Sequence, residues 1–473
     1  MKYTITFLVI FLSLFKVYSQ KEWTLEECIN YARENNLTIR LQQLNVDMAK
    51  LSLTQSKAAL LPGVNASATH SYNYGQTVDR FTNQFVNDRV QSNNFYVSGN
   101  VTVFNGFILL NSWKQKMIDL QASQFDAEQI EDDISLNIAS AYLQILYNME
   151  MVDNAMRQLE VTKLQVERTT MLYEAGSVSK GDLLSMEAQL ASEEATLISA
   201  QNQLDLSYLT LAQMLYLEDV NSFHIAVPEI ALSDSNLMTL ESPDNIYNYA
   251  LNNQPEIKAS ELRVESAQKS LQIARGARYP SLTLSGSWGT GYSSGSQSIS
   301  GFNIDGIDTI GYTSESPTEL VYTPAYSYEY EVTPFADQIR DNVNKTVGLN
   351  LTIPLFNGLS THTNIQLAKI SLETAQINFE QSKLNLRQTI QQAHADAMAA
   401  FKNYLAAAKQ VSALREAFIY MEERYNVGMA TPVEYSDSKN RLIEAESQLL
   451  QSKYEYVFRT RILDFYLGKE IKI

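Results

Sequence analysis

Few groups in this chain could do chemistry. The histidines His70, His224, His362 and His394 are scattered and show no metal-ligand spacing. No nucleophile motif or glycine-rich phosphate loop accompanies them, so an enzyme has no residues to rest on and no cofactor is implied. Cys28 is the only cysteine; no internal disulfide can form, and it reads as a small buried hydrophobe. Carboxylates remain. Thr431-Pro432-Val433-Glu434 is a capping box with proline at the first helical position, and Ser179-Lys180-Gly181-Asp182 is its counterpart. Acids in a first turn satisfy the cap and the helix dipole. Asp437 lies beyond the cap and shares a helix face with Glu434 at i, i+3.

The elements that carry these residues are written twice. Phe104-Asn105-Gly106 recurs as Phe356-Asn357-Gly358, and Tyr173-Glu174-Ala175-Gly176 recurs as Tyr425-Asn426-Val427-Gly428, both at an offset of 252. Earlier in each half the offset is 218: Ala32 and Asn35 match Ala250 and Asn253. The extra 34 residues therefore lie between Pro280 and Gly358. Met1–Ser19 reads as a signal peptide, with Lys2 ahead of an apolar core and small residues at the cleavage positions. The first repeat is then 20–242: a helix opened by the Thr24–Glu27 capping box, hairpin strands 63–75 and 94–104, a long helix 107–175, a return helix 180–216 and a connector 217–242. The second is 243–473: a helix from Ser242-Pro243, strands 279–292 and 343–355, a long helix 359–427 and a return helix 432–467. The first helix of each repeat is expected to run unbroken, to about Ala59 and Ala277.

The strand segments alternate cleanly. Phe95, Val97, Val101 and Val103 alternate with Tyr96, Ser98, Asn100 and Thr102; Val347, Leu349, Leu351 and Ile353 alternate with Thr346, Gly348, Asn350 and Thr352. The helices carry their own seam, so no apolar layer is left to cover these faces, and lipid is the other solvent for them. Each segment has about the length a tilted membrane strand needs. Gly75–Asn94 and Tyr292–Asn342 read as polar loops, the second rich in Gly, Ser, Tyr and acid. At ~1.5 Å per residue each long helix would extend roughly 100 Å. Apolar residues step by seven through Ile138, Ile145, Val152, Leu159, Val166 and Tyr173, and return through Leu183, Leu190, Leu197, Leu204 and Leu211. The copies read Ile390, Ala397, Tyr404, Val411, Phe418, Tyr425 and Tyr435, Leu442, Leu449, Tyr456, Leu463. Such heptads mean antiparallel coiled-coil packing. Four strands cannot close a barrel, so closure needs several chains. The net charge of −17, or −19 without Lys2 and Lys16, and the lack of basic clusters argue against nucleic-acid partners.

With these residues the chain resembles the TolC-type outer-membrane efflux proteins. The resemblance is carried by Trp23-Thr24-Leu25-Glu26-Glu27-Cys28-Ile29 with Ala32 and Asn35, by Leu61-Pro62 and its copy Tyr279-Pro280, by Ile353-Pro354-Leu355-Phe356-Asn357-Gly358 and by the two Tyr-x-x-Gly turns. It covers essentially all the mature chain. It implies an α+β membrane protein of two tandem repeats, a homotrimer with a shared β-barrel in outer-membrane lipid, and a helical tunnel through the periplasm. It also implies docking to a periplasmic adaptor protein and an inner-membrane pump, in tripartite efflux or type I secretion. Glu434 and Asp437 fall on the family's acidic ring at the periplasmic entrance, where three chains would gather six carboxylates and select cations. Asp182 and Tyr425 match gate partners, whereas the family's arginine two residues after Gly428 is Ala430 here. Gly176, Val178, Gly428 and Met429 are the expected adaptor-contacting tips, at glycines that also suit helix C-caps. The alternative is a secreted coiled-coil scaffold or adhesin without a pore, which would explain the heptads but not the duplicated strands.

Overall fold

The computed structural model describes residues 22–78, 83, 85–87, 89–220, 222–228, 240–314 and 316–469. The signal peptide expected at Met1–Ser19 and residues 229–239 of the connector lie outside them. In chain order the first repeat holds β1 (Glu22–Trp23), α1 (Leu25–Asn35), α2 (Leu37–Ala58), β2 (Gly63–Asn73), β3 (Gln76–Val78), β4 (Phe85–Asn87), β5 (Val90–Asn105), α3 (Ile108–Glu174), α4 (Lys180–Met214) and β6 (His224–Ile225). The second holds α5 (Pro243–Asn253), α6 (Pro255–Gly276), β7 (Ser281–Ser293), β8 (Gln297–Thr313), β9 (Ser316–Val332), α7 (Phe335–Asp341), β10 (Asn344–Thr352), α8 (Ser360–Asn426) and α9 (Pro432–Tyr466).

The chain divides into two units. The first is formed by the described parts of Met1–Leu51, Met117–Ser266 and Leu372–Ile473. Its core is itself duplicated. Cys28, Ala32, Ile138, Ile145 and Leu211 are buried in one cluster. Ile246, Ala250, Ile390, Ala397 and Leu463, their counterparts at offsets 218 and 252, are buried in another. Each repeat thus buries one face of its long helix against its own first and return helices, as the heptads require. The first cluster gains a short parallel ladder, Glu22 and Trp23 against His224 and Ile225. The buried Tyr142 hydroxyl sits 3.1 and 2.6 Å from the carbonyls of Trp23 and Ala226, tying that ladder to α3.

The opening helices are not continuous. Each breaks after eleven residues, at Asn36 and at Gln254, which are related by the same offset of 218. Two local causes give one geometry. The Asn36 side chain accepts from the Thr38 backbone N–H at 2.8 Å and caps α2. Gln254 precedes Pro255, which drives it to extended backbone, φ −64° and ψ 130°.

The second unit, Ser52–Lys116 with Ala267–Ser371, contains a four-stranded antiparallel sheet of order β10-β7-β5-β2. Its register aligns the alternation across all strands. Ala66, Val97 and Trp288 share one face, as do Val101, Leu284 and Leu349. Asn65, Ser98, Ser287 and Thr346 form a row on the other. The apolar face is uncovered: Val64, Val347, Leu349 and Leu351 are all exposed. β2 and β10 are the edge strands, each with one partner among the described residues. The segment Tyr292–Asn342, expected as a polar loop, is instead a hairpin of two 17-residue strands, β8 and β9, followed by α7. Its glycines, serines and acids obscured a second alternation, of isoleucine and tyrosine with polar residues.

At the base of the sheet Gly106 has φ +67°, and a Cβ there would stand 2.2 Å from the Gly276 carbonyl oxygen. Gly358, its copy, has φ +62° and open space around it. Gly106→Ala is therefore expected to cost at least about 2 kcal/mol, from left-handed strain plus a backbone collision, and Gly358→Ala the strain alone, about 1 kcal/mol. Thermal unfolding of detergent-solubilised protein, followed by circular dichroism, checks the order. Equal midpoints would show that the backbones do not cross at Gly106.

Candidate functional site at the helical turns

The two turns between long and return helix close by the same bonds. Gly176 donates to the Tyr173 carbonyl at 2.9 Å and Ser177 to Leu172 at 2.8 Å. Gly428 donates to Tyr425 at 3.1 Å and Met429 to Arg424 at 2.8 Å. With φ +75° and +77° at the glycines, both are left-handed C-caps that stop α3 and α8. The return helices then open on capping boxes. Ser179 N–H reaches Asp182 Oδ2 at 3.0 Å and Asp182 N–H returns to Ser179 Oγ at 3.2 Å. Thr431 N–H reaches Glu434 Oε2 at 2.7 Å and Glu434 N–H returns to Thr431 Oγ1 at 3.3 Å.

Each candidate residue now has a place. Val178, Gly428 and Met429 lie in the turns, with Met429 exposed and its carbonyl accepting from Arg424 at 3.2 Å. Glu434 is exposed, and the Thr431 backbone N–H holds its carboxyl below the ordinary glutamate range, helped by the Thr431 hydroxyl. Asp437, one turn on, is exposed and pairs with Arg441 at 3.0 Å. Asp182 spends its carboxylate on its own cap. Tyr425 is half-buried, stacked on Tyr435 with ring centroids 4.8 Å apart, and its hydroxyl is 3.3 Å from Thr169 Oγ1 on α3. Asp182 and Tyr425 are thus engaged separately, each with its own partner.

Two contacts here escaped the sequence reading. Arg168, on α3, donates to the Asn426 side chain and, at 3.3 Å, to the Asn426 carbonyl, while its guanidinium lies 5.9 Å from the Tyr425 ring centroid. Arginines therefore do serve this turn, Arg424 from its own repeat and Arg168 from the other, rather than one from position 430. Deeper in, Lys439 and Glu193 are buried with Nζ 3.2 Å from Oε1. Lys439 also donates to Thr162 Oγ1 and to the Gln158 carbonyl at 3.1 Å, and Thr162 donates to Glu193 Oε2 at 2.6 Å. Burial pulls the Lys439 ammonium below the ordinary lysine range, and Glu193 pulls it back up. The signal was present: Lys439 stands four residues after the heptad Tyr435 and Glu193 three after Leu190, both interior positions.

A sheet with an exposed apolar face and two edges unpaired among the described residues, in a chain that also holds duplicated helical hairpins with acidic first turns, has the parts of an outer-membrane channel protein. Comparison with known proteins agrees. The chain belongs to the Outer membrane efflux protein family, which it matches over residues 28–215 and 246–469. Outer membrane protein TolC of Salmonella enteritidis is 22% identical over 476 residues, spanning 97% of this chain and 84% of that protein. Pyoverdine export outer membrane protein OpmQ of Pseudomonas putida is 22% identical over 434 residues, spanning 90% and 81%. Among solved structures, CusC superposes with a TM-score of 0.75 at 16% identity, covering 96% of each chain. VceC from Vibrio cholerae superposes at 0.74 and 17% identity, covering 95% of this chain and 97% of that one. The protein is an outer-membrane exit duct for efflux.

Proposed function

We propose that three copies of this chain close one twelve-stranded barrel in the outer membrane and one helical tunnel in the periplasm, through which an inner-membrane pump, coupled by an adaptor protein, discharges its substrate. The observation that carries this is the four-stranded sheet. Its apolar face is exposed, with Val347 at 82%, and its edges β2 and β10 are unpaired among the described residues. In lipid both demands are met only by joining β10 of one copy to β2 of the next. In this reading Glu434 and Asp437 form the acidic ring of the entrance, and Gly176, Val178, Gly428 and Met429 meet the adaptor. The closed turns are held by Thr169–Tyr425 and Arg168–Asn426, contacts between repeats that opening would break, while Asp182 sets the start of α4.

Reconstitution into a planar bilayer tests the assembly. The expected result is detergent-extracted material of trimeric mass giving discrete conductance steps. Protein that extracts without detergent, stays monomeric and carries no current would overturn it and favour the scaffold.

A further inference from the structure

The hairpin β8–β9 forms a two-stranded sheet of its own, apart from the four-stranded one. It leaves the sheet at the end of β7, beside Gln91 of β5, and so at the end opposite Gly106 and Gly276. Register places Ile299 opposite Tyr330, Phe302 opposite Tyr328 and Ile304 opposite Tyr326. These six side chains share one face, all exposed, and Phe302 meets Tyr326 edge-on at 5.5 Å. That face bears no charged side chain between Ile299 and Tyr330 on the paired positions. Acids fall on the opposite face, where Glu329 pairs with Gly301 and accepts from Asn303 at 3.0 Å. From Ser281 to Val332 there is no lysine or arginine at all.

The root of the hairpin is clamped. The buried Gln338 on α7 accepts from the Ser293 N–H at 2.9 Å and donates to the carbonyls of Ser293 at 3.0 Å and Thr333 at 2.7 Å. Its amide thus binds the chain on both sides of the hairpin. Thr290 reaches the Ile339 carbonyl at 2.6 Å beside it. The hairpin is therefore anchored to its sheet at the root.

We propose that this face is covered by the same hairpins of neighbouring copies, meeting around the axis at the outer mouth of the duct. The inference rests on the trimeric reading above. Tethering favours this occupant. Seventeen residues per strand give a face about 56 Å long. Copies that the barrel already holds together meet at high effective concentration, so a narrow ribbon of contact suffices for them where a freely diffusing partner would need more. Charge agrees, because uncharged faces meet without repulsion while the acids point outward and keep the mouth negative. Lipid is a poorer fit: β2 and β10, of 11 and 9 residues, already have the length of a membrane strand, and the hairpin lies beyond them.

The test uses full-length protein with Cys28→Ser and a single new cysteine, at Ile304→Cys on the aromatic face or Ser327→Cys on the other. Trimer mass is established first by light scattering, so that failure of assembly is read separately. Within trimers, a short bis-maleimide is expected to join Ile304→Cys copies into covalent dimers and to leave Ser327→Cys copies single. Ile304→Cys should also label slowly with a water-soluble maleimide, and adding Gln338→Ala should restore fast labelling. Trimers in which both cysteines label equally fast and neither cross-links would overturn the proposal. So would protection of position 304 on cells that is lost in purified trimers, because another cell-surface component would then be the cover.

Discussion

Replacing Glu434 and Asp437 together by alanine is expected to weaken block of the duct by a trivalent cation by about a hundredfold or more. In the trimer proposed above the two positions would bring six carboxylates to one constriction, and a trivalent ion would feel each of them three times as strongly as a monovalent one. Competing partners are weak. Asp437 pairs with Arg441 at 3.0 Å, but both side chains are more than 60% exposed, and such a pair yields readily to a multivalent ion. Glu434 keeps one oxygen on its cap and its charge available. The pH dependence has a definite sign. Because the Thr431 N–H and hydroxyl stabilise the ionised form, the Glu434 carboxyl lies below its ordinary value of 4.5. Its share of the block persists through that value and is lost only as pH falls further, through the lowered folded-state pKa. The cap itself is stabilised above 4.5 and weakens over the same window. In Thr431→Val the block should fail at a higher pH. Single-channel conductance against cation concentration and pH measures both. Undiminished block in the double alanine variant would place the ring elsewhere.

The second large effect concerns the buried pair. Glu193→Ala leaves the Lys439 ammonium, 4% exposed, with only Thr162 and the Gln158 carbonyl as partners. Breaking one side of a buried ion pair costs about 3–5 kcal/mol, whereas replacing both sides by apolar residues is often neutral. Glu193→Ala is therefore expected to speed amide exchange through α9, and Lys439→Met with Glu193→Leu to restore slow exchange. A local readout is needed because two units do not have to unfold in one step. The pair joins α9 of the second repeat to α3 and α4 of the first, so the same single variant should also loosen the turns held by Arg168 and Thr169. If exchange in α9 is unchanged by Glu193→Ala, the pair does not fasten the repeats.

Much of this was legible residue by residue. The turns at Gly176 and Gly428, the capping boxes at Asp182 and Glu434, and the strand alternation around Val97 and Leu349 each depend on a few neighbouring residues. Periodicity and cap chemistry act over one or two turns of chain, so they can be read in order. The twofold repetition of Ile138 as Ile390 and of Leu211 as Leu463 then showed the same local rules applied twice. The break at Asn36 was missed because an asparagine inside an apolar pattern announces a cap only once its side chain is seen to turn back on Thr38.

What the amino-acid order alone determined is the kind of object: two repeats, membrane-type strands, heptad helices and acids at the first turns. What only the tertiary structure decided is which distant groups share a site. Lys439 meets Glu193 across 246 residues, Arg168 meets Asn426 across 258, and Gln338 grips Ser293 across 45. Helix and strand periods are set by steric limits between near neighbours, whereas a buried charge finds its partner only after packing has removed the water that would otherwise have solvated both.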